Sequence, residues 1–541
     1  MGQQEPIWVS QPFERDHMPE DMKHKKPWIG ARLADGLIET FRPHRAFQRK
    51  LARRLNQLGP DWVLGGDYYR GAEADRRTDD FLTEDVSADK ALDGNLETMR
   101  ARAHDLVRNN TDASSIVKTI CSNVVGTGIK LQSMIDWEQL GITEDMAEAF
   151  QNQAEKQFTS WLPYADAGGR LHFYEMQGQV QSEKVISGEA LAIRQMVERT
   201  DTPFKTCIEI IDVNRLCTPI EYMNKGNVRF GVEIGEHGQA TGYYIKGANV
   251  AGIPGSVKLK DCSYVPRFNK KTGTEDVLHL YVQERPGQTR GITGFAQSID
   301  LQHHIERYVE AEVIAARGNA CNGIMVETAD PFGMAAGNTA RINNNDERIE
   351  NLKPGGVNYL SPGQTMKAYE FNRPGGQFEP FLMVMLRRFS AGFGLSYELI
   401  GKDYSKVTYS SARAALLQDY RIFRQWQYWL SRSFCQKVYQ WVLEEAVMLG
   451  LLPIDGGTYM KNKGIWSGAI WLAPGWEWVD PLKEAQASVV AVKNGFSSVS
   501  DVVQAKGGDW EHTERQLKRE VDRFSNDGLP HPIEQQQQGA Q

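Results

Sequence analysis

The densest polar chemistry in this chain lies between Leu395 and Ser411, in the stretch LSYELIGKDYSKVTYSS. Lys402 and Lys406 stand four residues apart, accompanied by Asp403, Tyr404, Ser405, Thr408 and Tyr409. A lysine ammonium is a point charge on a flexible stem, so its contacts re-form quickly, unlike the planar fork of arginine. Gly394 and Gly401 give the backbone freedom on either side. Taken alone, the two lysines also suit ordinary exposed loop charge. No catalytic constellation fits this layout, whereas a loop presented by two helices does.

Other residues that could carry chemistry form no site. No G-x-x-x-x-G-K-[ST] run exists to cradle phosphates: GVEIGEHG and GGDYYRG lack the lysine. G-x-S-x-G and H-E-x-x-H are absent too. A two-metal nuclease needs clustered carboxylates. Asp79, Asp80, Glu84 and Asp85 cluster, but in a loosely patterned N-terminal stretch where an acidic face is the simpler account. His303 and His304 are neighbours, and adjacent helical positions point about 100° apart, so they do not share a metal. The six cysteines (Cys121, Cys207, Cys217, Cys262, Cys321, Cys435) show no CxxC spacing and suit buried thiols of a reducing compartment. No enzyme, cofactor or metal site is expected.

The elements that would present these residues follow from pattern. The chain has 541 residues, 41% of them hydrophobic, enough for two to four domains. Its net charge of −7 is mild for that size and argues against a surface built to wrap nucleic acid tightly. The opening MGQQEP has no apolar segment, so no secretory signal is expected, and no apolar run is long enough to span a membrane. Residues 1–30 are polar and expected to be mobile. Residues 31–58 place Phe47, Leu51 and Leu55 on one stripe of a basic segment, a solvated or docking arm.

Helices are expected over Leu96–Asn109, Asp112–Val125, 143–161 and 172–187. The period then changes to short β runs over Gly188–Val197, Phe204–Ile211, Val228–Ile234, Gly242–Lys246 and Ser263–Pro266. Helices are expected again over 291–318, Phe378–Phe393 and Ser411–Leu449, then Pro481–Asn494, Ser498–Lys506 and His512–Phe524. The last of the first three runs nearly forty residues without Gly or Pro. The fold class is α+β with a largely antiparallel sheet. The glutamine-rich end is low-complexity and expected to be disordered.

Four segments resemble the lambda-type family of tailed-phage portal proteins, in that family's order. They are RARAHDLVRNN (Arg100–Asn110) with VVGTGI (Val124–Ile129), GQTRGITGFAQSI (Gly287–Ile299), GLSYELIGKDYSKVTYSSARAALL from Gly394, and WVDPLKEAQA (Trp478–Ala487) with GGDWEHT (Gly507–Thr513). They bracket residues 95–525; residues 1–90 and 526–541 carry no resemblance.

The resemblance implies a ring, commonly of twelve subunits, at one capsid vertex. It implies a portal fold with an α/β wing over 95–290, two stem helices over 292–318 and 376–394, and a small α/β clip over 319–375. A tunnel loop would span 395–411, a long wing helix 412–449 and a mostly helical crown 450–525. The N-terminal arm would be 1–90 and the tail 526–541. Lys402, Asp403, Tyr404, Ser405, Lys406, Thr408 and Tyr409 would then line a channel for double-stranded DNA. Arg307, Glu310, Arg387, Arg388 and Arg413 would sit in stem and subunit contacts. The implied partners are a terminase large subunit, the major capsid protein, a head–tail adaptor, and scaffold or head protease. Assembly would occur in host cytoplasm and the product would reside in the virion. A sliding duplex needs a weak grip, because each phosphate contact adds to a steep salt-dependent affinity. Residues 294–414, with 12 Lys/Arg and 13 Asp/Glu, meet that requirement. A scaffold that binds capsid without closing a ring is the alternative.

Overall fold

The computed structural model describes residues 85–250, 252, 255–320, 324–328, 341–342, 348–349, 364–368, 376–476 and 481–526. The expected N-terminal arm with its Phe47–Leu55 stripe, the carboxylates Asp79, Asp80 and Glu84, Cys321 and the glutamine-rich tail lie outside the described residues.

The first helices are set by their caps and apolar spacing. Asn110 ends α1 (Leu96–Asn109) and starts α2 (Thr111–Val124), its side chain accepting from the Ala113 amide at 2.8 Å. Helix α2 buries Ala113, Ile116, Val117 and Ile120 along one face. Strand β1 (Lys130–Ser133) follows. Helix α3 (Glu144–Trp161) is capped by Thr143, and α4 (Phe173–Ile186) opens on a capping box between His172 and Glu175.

The β region forms two antiparallel sheets. In the first, β2 (Glu189–Met196) lies between β3 (Thr206–Ile211) and β8 (Val277–Tyr281). The second runs in the order β4 (Val228–Arg229), β5 (Val232–Ile234), β6 (Ala240–Lys246), β7 (Cys262–Pro266). The single strand expected over 228–234 is two strands. Phe230 and Gly231 both take positive φ (50° and 83°), the requirement of a two-residue hairpin turn, so the chain folds back there. Strands β1 and β8 had no counterpart in the sequence pattern.

The helix expected from residue 291 begins only at Ile299, as α5 (Ile299–Ala320). Residues 291–298 pack as irregular chain over α4 and β2. A Cβ on Gly188 or Gly291 would come 2.2 Å from the backbone of the other segment, so glycine permits this crossing. Beyond α5, β9 (Ile324–Thr328) pairs antiparallel with β12 (Gln364–Ala368), and between them the short β10 (Arg341–Ile342) pairs with β11 (Arg348–Ile349).

Helix α6 (Phe378–Gly392) leads to a segment that is not one open loop. It contains a short helix, α7 (Tyr397–Gly401), because Leu395, Leu399 and Ile400 are buried in the core. The next helix also starts early, as α8 (Tyr409–Leu430), so only 402–408 is loop. The expected 411–449 helix is continuous but not uniform. One wide π turn, Ser431–Cys435, separates α8 from α9 (Gln436–Met448). Such a turn adds a residue and re-phases the buried face; Phe434 and Cys435 within it are fully buried.

Strand β13 (Ala469–Leu472) pairs antiparallel with β1. The core between α3, α4 and α9 is aromatic. Phe158 contacts Trp161, Phe173, Tyr439 and Trp471, and Phe434 stacks on Phe173. The last helices, α10 (Pro481–Lys493), α11 (Val499–Ala505) and α12 (Trp510–Asn526), contain no buried residue.

Candidate functional site

The loop 402–408 is short and its polar groups are tied locally. Lys402 ends α7 in the left-handed region, φ 55°, and its ammonium donates to Thr119 Oγ1 on α2 at 3.1 Å. Lys406 pairs with Glu379 at the start of α6. Asp403 accepts from the Ser405 amide at 3.0 Å and hydroxyl at 2.6 Å, and these bonds lower its pKa. Thr408 caps α8, its hydroxyl accepting from the Ser411 amide. Tyr404 and Tyr409 are exposed. The two lysines thus have different partners, one on α2 and one on α6.

The charged residues expected at helix contacts are placed individually. Arg307 and Glu310 pair with each other on α5 at 3.4 Å, both exposed. Arg387 lies over the Tyr397 ring, 5.9 Å from its centroid. Arg388 is exposed on α6. Arg413 reaches Glu484 on α10 at 3.2 Å. Helices α5 and α6 touch through Tyr308, whose ring meets Phe378 and Phe381. Val313, Ile314, Phe381 and Val384 leave an apolar face exposed on the same pair.

His304 lies 3.5 Å from Asp300, one turn away, and its ring centroid is 6.3 Å from that of His303. Cys207, Cys217 and Cys435 are buried thiols, whereas Cys121 and Cys262 are half-buried. Among the described residues no group of three potential ligands could hold a metal, and no helix is long and apolar enough to cross a membrane.

The strongest electrostatic feature was missed by sequence reasoning. Glu189, fully buried at the start of β2, accepts from Arg100 Nη2 at 2.6 Å, Arg290 Nε at 2.7 Å, His279 Nε2 at 2.8 Å and the Gly291 amide at 2.9 Å. Burial alone would raise this carboxyl; Arg290, then Arg100 and His279, hold it well below the usual range. Burial brings Arg100 down to about 10 and lowers His279 against the pull of Glu189. Arg290 also donates to the carbonyls of Phe230 and Val213. The one available signal was a charged residue heading the apolar run EALAI. This hub holds α1, the first sheet and the 287–294 segment together; its groups are saturated, so its work is structural.

The hub explains why distant segments act as one unit. Arg100 and Arg290, from the first and second resembling segments, meet on Glu189. Asn110 bonds Glu306 at 2.7 Å, and Ser115 of α2 bonds the Ile400 carbonyl at 3.0 Å. Asp419 of α8 accepts from the Ser396 amide and hydroxyl. Gln132 bonds Asp509 at 3.2 Å, and Arg413 bonds Glu484, joining the C-terminal helices to the rest.

Three comparisons with known proteins found similar chains. A family model described as phage portal protein, lambda family, matches residues 74–427. The portal protein of Escherichia phage N15 is 26% identical over 462 residues, covering 80% of this chain and 86% of that protein. Portal protein B of Escherichia phage lambda is 25% identical over 474 residues, covering 82% and 87%. Among solved structures, a chain from the neck of an empty GTA particle is 14% identical with a TM-score of 0.43, covering 75% of this chain and 93% of that one.

Proposed function

Since this chain belongs to the lambda family of phage portal proteins, we propose that it closes into a ring of twelve subunits at one capsid vertex and conducts double-stranded DNA during packaging and ejection. It is a structural protein and not an enzyme. The match over residues 74–427 carries the reading.

In this proposal α5 and α6 are the stem, and the strands between them form the clip that meets the terminase large subunit and later the head–tail adaptor. Residues 95–290 and the long α8–α9 helix form the wing, which meets the major capsid protein and, during assembly, scaffold or head protease. Helices α10 to α12 belong to the crown, and assembly takes place in host cytoplasm. Two features support it. Val313, Ile314, Phe381 and Val384 give the stem pair an exposed apolar face, which a neighbouring subunit would cover. Loop 402–408 joins the stem to the long helix, where a channel would be narrow.

The test is a Lys402→Ala, Lys406→Ala double variant carried through particle assembly. Rings should form at the normal yield while the length of DNA packaged, or its retention after packaging, changes. Loss of rings would make the lysines purely structural and remove the loop from the channel.

A further inference from the structure

We propose that the DNA backbone is held at a groove on α2 and not at the tip of the loop; the inference rests on the conduit reading above. The groove is a cleft of about 620 Å³ along the exposed face of α2. Arg108, Ser114, Ser115, Lys118, Ser122 and Lys402 contribute to it, and none of its lining residues is acidic. Ser114, Ser115, Lys118 and Ser122 recur at helical spacing, so they stand on one face. Arg108 and Lys118 are exposed.

Two independent observations point to phosphate as the ligand. The first is composition: three cations with no carboxylate in the lining match the donors that phosphodiester oxygens accept from, while the Ser115 and Ser122 hydroxyls are already given to the Ile400 and Thr119 carbonyls. The second is Lys402 itself. Only two non-glycine residues take positive φ among those described, and Lys402 is one of them. That backbone turn carries its ammonium away from the loop tip and over the groove, onto Thr119. Lys406, by contrast, is occupied by Glu379 on α6, which fastens the loop to its helix. The two lysines therefore divide the labour: Lys402 belongs to the phosphate groove, and Lys406 anchors the loop. Lysine contacts exchange readily, so such a groove holds a moving duplex without arresting it.

Full-chain rings should be titrated with a short fluorescent duplex of mixed sequence over a range of salt concentrations. The Arg108→Ala, Lys118→Ala double variant should form rings yet bind more weakly. Its plot of log affinity against log salt should be shallower by about 2, since each lost phosphate contact removes roughly 0.9 from the slope. Lys271→Ala, an exposed cation outside the groove, should keep the wild-type slope. If the double variant binds like wild type, the groove assignment is overturned while the conduit reading stands. If wild-type rings show no salt-dependent duplex binding, both fall. If the double variant makes no rings, the groove instead receives acidic side chains of a neighbouring subunit and the proposal is overturned.

Discussion

Replacing Glu189 by alanine would leave two guanidinium groups buried without their carboxylate. Removing one member of such a cluster costs about 3–5 kcal/mol, because uncompensated charge remains in a dry interior. Urea unfolding of Glu189→Ala should show that loss; a cost below about 1 kcal/mol would mean the pocket admits water and the hub holds nothing together. The same residue shows the limit of reading a chain in one dimension. Arg100 and Arg290 were visible inside recognisable motifs, but their meeting point, 89 and 101 residues from them, was not. Lys402 and Lys406 were singled out from the sequence as the cations of the 395–411 segment. Their different partners, Thr119 and Glu379, depend on helix placement, which residue spacing does not encode.

At the scale of elements, the long periodic helices were legible within a residue or two, because caps such as Asn110 and Thr143 and a buried stripe coincide. What escaped had a local physical cause. The Phe230–Gly231 turn needs two positive φ values, and phenylalanine gives no hint of one. Residues 291–298 are proline-free, yet backbone contact between Gly188 and Gly291 excludes a helix there. Strands β1 and β13 are short and meaningful only as a pair of segments far apart in the chain, Lys130 opposite Leu472 at one end and Ser133 opposite Ala469 at the other.

Docking of α12 against α3 should depend on pH. Burial raises the Glu155 carboxyl to about 7 despite the bond from the Ser133 amide, with Asp509 and Glu511 adding to the rise and Arg515 opposing it. A carboxyl raised in the folded chain keeps a proton that the unfolded chain releases. Its stabilising effect is therefore complete below the ordinary value of 4.5 and is lost as pH rises toward 7. Glu155→Gln should remove this loss, so its melting temperature should exceed that of wild type by a margin that grows from pH 5 to pH 8. A constant margin would show that Glu155 is already ionised in the folded chain.

The whole chain is nearly charge-balanced for its size, and the Glu189 hub is satisfied internally. Among the described residues, the apolar side chains exposed on α5 and α6 and the unburied helices α10 to α12 are surfaces left unfinished. Such features suit a subunit completed by its neighbours and support the proposed ring. Native mass spectrometry of the purified chain, with electron-microscope class averages of the same sample, tests this at once. Twelve copies of a 61.0 kDa chain weigh twelve times 61.0, about 732 kDa. The account predicts closed rings of that mass, or one subunit either way, with a central hole wide enough for a duplex. A discrete dimer or tetramer with no channel would contradict it.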